Sequence, residues 1–135
     1  MSAELTKVRD VMKTEVDIVD GMMTVAEVIK TMQHQQNKSI IVDRRTEHDE
    51  YGIVLLNDIA TEVLAKDRSP DRVNVYEIMT KPVISVDPEM DIRYCARLFK
   101  RVGLSRAPVI ENRKVIGIVS LTDLVMKGLC RDYQK

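Results

Sequence analysis

The chain carries one pattern twice. Val8-Arg9-Asp10-Val11-Met12 recurs 67 residues later as Val75-Tyr76-Glu77-Ile78-Met79, and Gly52-Ile53-Val54-Leu55-Leu56-Asn57-Asp58-Ile59 is answered by Gly117-Ile118-Val119-Ser120-Leu121-Thr122-Asp123-Leu124. An internal duplication constrains the fold more than any single motif, because two related halves must bury their apolar faces together and can hold a ligand between them.

The register holds between these anchors. Val25, Val28, Ile29 and Met32 stand at i, i+3, i+4 and i+7, and Ile92, Cys95, Ala96 and Phe99 repeat that spacing 67 residues on, so each set is one apolar face of a helix. Thr24 with Glu27 reads as a capping box, and Asp91 takes the place of Thr24 before the second helix. A short apolar run follows each helix, Ser39 to Val42 and Ala107 to Ile110. After a polar turn come Ile53 to Leu55 and Val115 to Val119, too short for helices, so each pair predicts a hairpin. The first turn, Asp43 to Tyr51, is longer than its counterpart by two residues, an insertion that a loop absorbs. Asn57 and Thr122 read as caps of closing helices, and a strand is expected before each first helix, at Val16 to Val19 and Val83 to Val86.

Each repeat is thus β-α-β-β-α, and the expected fold class is α/β. The boundaries read as residues 6–66 for the first repeat, 67–74 for a linker carrying Ser69-Pro70-Asp71, and 75–130 for the second. A unit of about 60 residues buries only roughly 60% of its unfolded-chain surface, so the halves are expected to pack into a single module.

Charge balance restricts partners. Twenty-one basic and 21 acidic side chains leave no net charge, which argues against nucleic acid or an anionic membrane surface as the main partner. No apolar stretch approaches the roughly 20 residues of a membrane span, and Met1 to Asp10 lacks a signal-peptide core, so a cytoplasmic location is expected. Cys95, on an apolar helix face, and Cys130 read as reduced structural thiols. Met22, Met23 and Met32 read as core filling or a sticky interface. Neither His34 nor His48 has a second histidine at metal-ligand spacing, and there is no phosphate-loop or nucleophile-elbow motif, so neither a catalytic residue nor a metal site is expected.

The doubled β-α-β-β-α pattern, the Val-Met-(Lys/Thr) opening and the Gly-Ile-Val-(Ser/Leu)-Leu-(Thr/Asn)-Asp ending resemble the cystathionine β-synthase (CBS) domain, which occurs in pairs as a Bateman module. The resemblance runs from about Thr6 to about Leu129. It implies two repeats packed about a pseudo-twofold axis, with clefts that take AMP, ADP, ATP or S-adenosylmethionine. It further implies a non-enzymatic regulatory module in signal transduction, commonly a homodimer, acting on a partner protein that the sequence does not identify. No obligatory cofactor is implied. The alternative, from another class, is a ligand-free dimerisation scaffold.

The second repeat carries the better site. Gly117 lets a ligand or facing backbone come close, Ser120 and Thr122 bring hydroxyls to a helix start that suits phosphate, and Asp123 can accept both hydroxyls of a ribose. The resemblance assigns ribose to Asp123 and phosphates to the vicinity of Ser120 and Thr122. It adds Val83, Ile84, Ser105, Arg106, Ala107 and Pro108 as the wall around the adenine, with Arg106 able to reach a phosphate as a two-pronged donor. The first repeat departs from this pattern. Leu55 stands in place of Ser120 and Asn57 in place of Thr122, and the wall of Val16, Asp17, Lys38 and Ser39 puts a carboxylate where Ile84 stands in the other copy. With Asp58 retained, these residues form an expected degenerate second site.

Overall fold

The computed structural model describes residues 5–133; Met1 to Glu4, part of the N-terminal stretch read above as lacking a signal-peptide core, and Gln134 and Lys135 lie outside it. The chain divides into two units that follow packing, not the repeat boundaries. A central unit comprises residues 16–83, and a flanking unit joins residues 5–15 to 84–133. Each unit therefore contains the body of one repeat and the opening segment of the other.

In the central unit, β1 (Ile18–Val19) pairs in parallel with β2 (Ser39–Val42), which pairs antiparallel with β3 (Gly52–Leu55). Helix α2 (Val25–Thr31) crosses between the parallel strands, which a hairpin turn could not join. Its capping box forms as expected, with Thr24 Oγ1 accepting from Glu27 N at 3.1 Å and Glu27 Oε1 accepting from Thr24 N at 3.1 Å. Every residue of β2 is buried, which suits a strand covered on both faces. The core gathers Val28, Ile40, Val42, Val54 and Val75, with Val25, Val63 and Val73 in a second cluster. Met23 and Met32 pack on it, whereas Met22 is exposed. Residues 67–74 also pack here: Val73 is buried and its carbonyl accepts from Val25 N at 2.8 Å.

The flanking unit opens with α1 (Val8–Val11) and adds α4 (Ile92–Val102) and the hairpin of β4 (Arg106–Glu111) and β5 (Lys114–Ser120). Asp91 caps α4 as expected, accepting from Arg93 N at 2.8 Å, and Gly103 ends it at φ +81°. Val8 and Val11 are completely buried among Val86, Cys95, Phe99, Val109, Val119 and Leu124. The strand expected over Val83 to Val86 contracts to one parallel bridge between Val86 and Val109. Pro82 and Pro88 flank it without N–H groups, and the amide of Val83 is bonded instead to Tyr51 O at 2.9 Å.

The closing helices are wound irregularly. α3 (Leu56–Ile59) runs into a wide turn, Ala60–Leu64, with Ala65 N bonded to Ala60 O. α5 (Leu121–Asp123) runs into Leu124–Leu129 and then α6 (Cys130–Tyr133). Such i→i+5 bulges recur at functional sites. The cap positions differ from the sequence expectation. Ser120, not Thr122, is the N-cap of α5, and Leu55, not Asn57, precedes α3, because each helix starts at the last strand residue without an intervening turn. Among the described residues no helix is long and apolar enough to cross a membrane.

Candidate functional site

The two opening segments lie on the free edges of the two hairpins. Lys13 N donates to Ile118 O and Ile118 N to Lys13 O, both at 2.8 Å. Thr80 makes the same exchange with Ile53 at 2.9 and 3.0 Å. Close approach of backbone explains Gly117, whereas Gly52 makes room for the Met79 side chain. A Cβ on Gly117 would lie 2.5 Å from the Lys13 carbonyl oxygen, a contact no side chain tolerates, so the neighbour that Gly117 admits is backbone.

Lys13 is thereby carried to Asp123. Asp123 is 4% exposed, and its Oδ2 accepts from Ser120 N at 3.1 Å and Ser120 Oγ at 3.0 Å while Asp123 N donates to Ser120 Oγ at 3.2 Å. Its Oδ1 faces Lys13 Nζ at 3.4 Å and Lys127 Nζ at 3.7 Å. Arg106, paired with Ser120 across the hairpin, feels the same carboxylate: burial pulls its pKa down and Asp123 opposes the shift. Three cations thus surround one buried carboxylate.

Ser105 joins the group through its carbonyl, which accepts from Leu121 N at 2.9 Å, and its hydroxyl, which accepts from Arg106 Nε at 3.3 Å. Ala107 and Pro108 are buried in β4 opposite Val119 and Ile118, Thr122 is exposed one residue before Asp123, and Ile84 is exposed. Val83 belongs to the central unit. Most of the amides at the start of α5, expected to suit phosphate, are engaged within the fold. The N–H groups of Ser120, Leu121 and Asp123 are taken by Asp123 Oδ2, Ser105 O and Ser120 Oγ, and the positive charge nearest the carboxylate is that of Lys13 and Lys127.

Sequence reasoning missed the two lysines. Lys127 was legible as an i,i+4 partner of Asp123, and Lys13 as the residue after Met12 in the repeated opening. Only the hairpin edge brings Lys13 across more than 100 residues to its carboxylate.

The corresponding place in the central unit is built differently. Asp58 Oδ2 accepts from Leu55 N at 2.8 Å, but Thr80 stands where Lys13 stands in the other copy. Asp17 is committed to structure: its two oxygens accept from Gln33 N and His34 N, each at 2.9 Å, closing the end of α2. Lys38 holds a left-handed φ of 56° and its carbonyl accepts from Leu56 N. Ser39 is buried with its hydroxyl on Asn37 O at 3.3 Å, Asn57 is exposed and Val16 half-buried. Among the described residues, neither a hydroxyl nor a lysine faces Asp58 as Ser120 and Lys13 face Asp123.

Comparison with known proteins accords with this doubled architecture. The family model described as CBS domain matches residues 8–65 and 75–128. A hexameric CBS-CP12 protein from bloom-forming cyanobacteria superposes with a TM-score of 0.88 at 37% identity, over 97% of this chain and 76% of that one. An uncharacterized protein of Methanopyrus kandleri is 30% identical over 113 residues, 81% of this chain, which spans 57% of that relative. The CBS domain pair of protein MJ0100, solved in complex with 5′-methylthioadenosine and S-adenosyl-L-methionine, shares the fold at a TM-score of 0.76 and 23% identity, covering 97% of this chain and 99% of that one.

Proposed function

Because the chain belongs to the CBS-domain family and carries two such domains, we propose that it is a regulatory module that binds an adenosyl ligand reversibly beside Asp123. The observation that carries this reading is the half-engaged carboxylate: Oδ2 is locked into the cap by Ser120, while Oδ1 faces the more distant ammonium groups of Lys13 and Lys127. A ribose diol donating to Oδ1 would release both lysines toward the phosphates of AMP, ADP or ATP, or toward the carboxylate of S-adenosylmethionine. The complex of MJ0100 supports an adenosyl ligand as the class. Asp58 is the weaker second locus.

Binding is reported through Lys13. Its backbone is stitched to β5 and its neighbours Val8 and Val11 are sunk in the core, so a ligand that frees its side chain acts on the segment that opens the flanking unit. The signal is the difference in ligand affinity between two states of that segment, read by a partner protein. Assembly belongs to the same reading. Leu121, Val125, Met126 and Leu129 expose 40%, 47%, 60% and 53% of their surfaces along the closing helix, and a homodimer through this face would cover them.

Calorimetric titration with AMP, ADP, ATP and S-adenosylmethionine, alongside light scattering, tests the proposal. Saturable binding of at least one, weakened in Lys13→Met in proportion to phosphate number, is expected. A flat titration across the panel leaves the ligand-free scaffold.

A further inference from the structure

The two repeats differ at the opposite end of the sheet, and the difference opens a second site. In both copies an aspartate follows the first-strand position, Val19 or Val86, and its Oδ1 accepts the amide two residues on: Asp20 from Met22 N and Asp87 from Glu89 N, each at 2.8 Å. In both the opening helix of the other repeat sits on this corner, with Arg9 N bonded to Pro88 O at 2.9 Å and Tyr76 N to Gly21 O at 3.0 Å. The backbone corner is the same and the side chains filling it are not.

In the flanking unit the corner is tied shut. Arg9 reaches Glu89 at 2.9 Å and Glu111 at 2.5 Å, and Lys7 reaches Glu89 at 2.8 Å. The positions of Arg9, Glu89 and Glu111 are held in the central unit by Tyr76, Met22 and Arg44. None of those pairings survives the exchange, and a cleft of about 770 Å³ lies there, lined among others by Tyr76, Met22, Asp20, Asp43, Arg45 and Lys81. The loop two residues longer in this repeat frames it and is itself ordered: Arg44 stacks 4.9 Å over the buried Tyr51 ring, and Asp49 Oδ2 accepts from Arg45 N at 2.9 Å and Lys81 Nζ at 2.8 Å.

The lining states the ligand's chemistry. Tyr76, Met22 and Ile18 offer exposed apolar surface. The Arg45 guanidinium rests 3.9 Å from the Met22 sulfur, a contact that leaves its strong donors to an oxyanion. Asp20 and Asp43 each hold a neighbouring amide through Oδ1 at 2.8 Å, which leaves a second oxygen apiece for a cationic donor. Both signs of charge on an apolar floor, in a volume suited to a small molecule, select a zwitterion with an apolar body. We propose that this corner binds an amino-acid-like zwitterion, its carboxylate on Arg45, its ammonium between Asp20 and Asp43, and its side chain over Tyr76 and Met22.

Three probes of one shape test the charges separately: L-phenylalanine, phenethylamine, which lacks the carboxylate, and 3-phenylpropionate, which lacks the ammonium. Amide shifts of the full chain should change saturably at Gly21, Asp43, Arg45 and Tyr76 with L-phenylalanine, at about millimolar dissociation constants for a ligand of this size. Each singly charged analogue should bind about tenfold more weakly, as should L-phenylalanine to Arg45→Met, an exposed substitution that leaves the spectrum elsewhere unchanged. Grafting the closed corner, Met22→Glu with Arg44→Glu and Tyr76→Arg, should abolish the shifts. Asp123→Ala should leave them intact, which separates this site from the adenosyl site. Absence of shifts at the corner with all three probes, equal binding of either analogue, or undiminished binding to Arg45→Met overturns the assignment.

Discussion

Ser120 and Asp123 cap each other, the hydroxyl of Ser120 accepting the amide of Asp123 at 3.2 Å while the carboxylate of Asp123 accepts the amide of Ser120 at 3.1 Å. The reciprocity fixes one carboxylate oxygen and leaves the other facing Lys13 and Lys127.

Asp123→Ala should therefore lose adenosyl binding at least tenfold, since a charge-assisted contact is worth about 1.5–3 kcal/mol. Asp58→Ala, which removes a carboxylate with neither a serine cap nor a lysine beside it, should retain most of it. At 100 times its dissociation constant, a ligand adds about 2.7 kcal/mol and raises the melting temperature by roughly 10 °C. Thermal shifts of the three proteins decide the matter, and a larger loss in Asp58→Ala would move the site to the central unit.

Gly117→Ala should destabilise the fold more than Gly52→Ala. The added methyl meets the Lys13 carbonyl at 2.5 Å in the first case, and the flexible Met79 sulfur at 2.8 Å with backbone no nearer than 3.3 Å in the second. Overpacking of this kind costs about 1–3 kcal/mol, and the upper part of that range belongs to Gly117 because backbone yields less than a thioether. Urea denaturation of both variants measures the difference.

The cap of α4 gives the fold an acid-sensitive element. Asp91 is buried, and the Arg93 side chain, bonded to it at 2.7 Å, holds its carboxyl below the ordinary carboxylate range. A depressed folded-state pKa stabilises the protein fully above the unfolded value, near 3.9, and the contribution disappears as pH falls through the folded value. The stability of Asp91→Asn should accordingly depend less on pH than wild type below about pH 4, when unfolding is followed by circular dichroism.

Cys95 should resist alkylation in the native state. It is fully buried, burial pushes its thiol up to about 11, and the thiolate is the reactive form. Cys130, partly exposed, should label first. Mass-resolved iodoacetamide labelling should show one modified cysteine at pH 8 and two in denaturant; two in native protein would contradict the burial of α4.

The helices and hairpins were legible because their signals are local. Thr24 with Glu27, and Asp91 before Ile92, announce helix starts within one turn. The hairpins followed from runs bounded by polar turns, and Ser120 and Asp123 stood out through the repeated ending. What escaped was non-local. Lys13 meets Asp123 only because an edge pairing carries it there, and Asp17 looked available for a ligand until the amides of Gln33 and His34 claimed it. The caps were misplaced by two residues because strand and helix abut at Ser120, so no turn residue marks the boundary.

The exchange of opening segments sets an order of assembly during synthesis. Residues 16–83 are contiguous, so the central unit can close once Val83 has left the ribosome. Val8 and Val11, made before it, have their burial partners in Phe99, Val109 and Val119, and stay unburied until those emerge. The segment carrying Val8 and Val11 thus finds its place only after the central unit, and a fragment cut at the sequence repeat, keeping 75–130 without residues 5–15, would be born with a hole in its core where Val8 and Val11 belong.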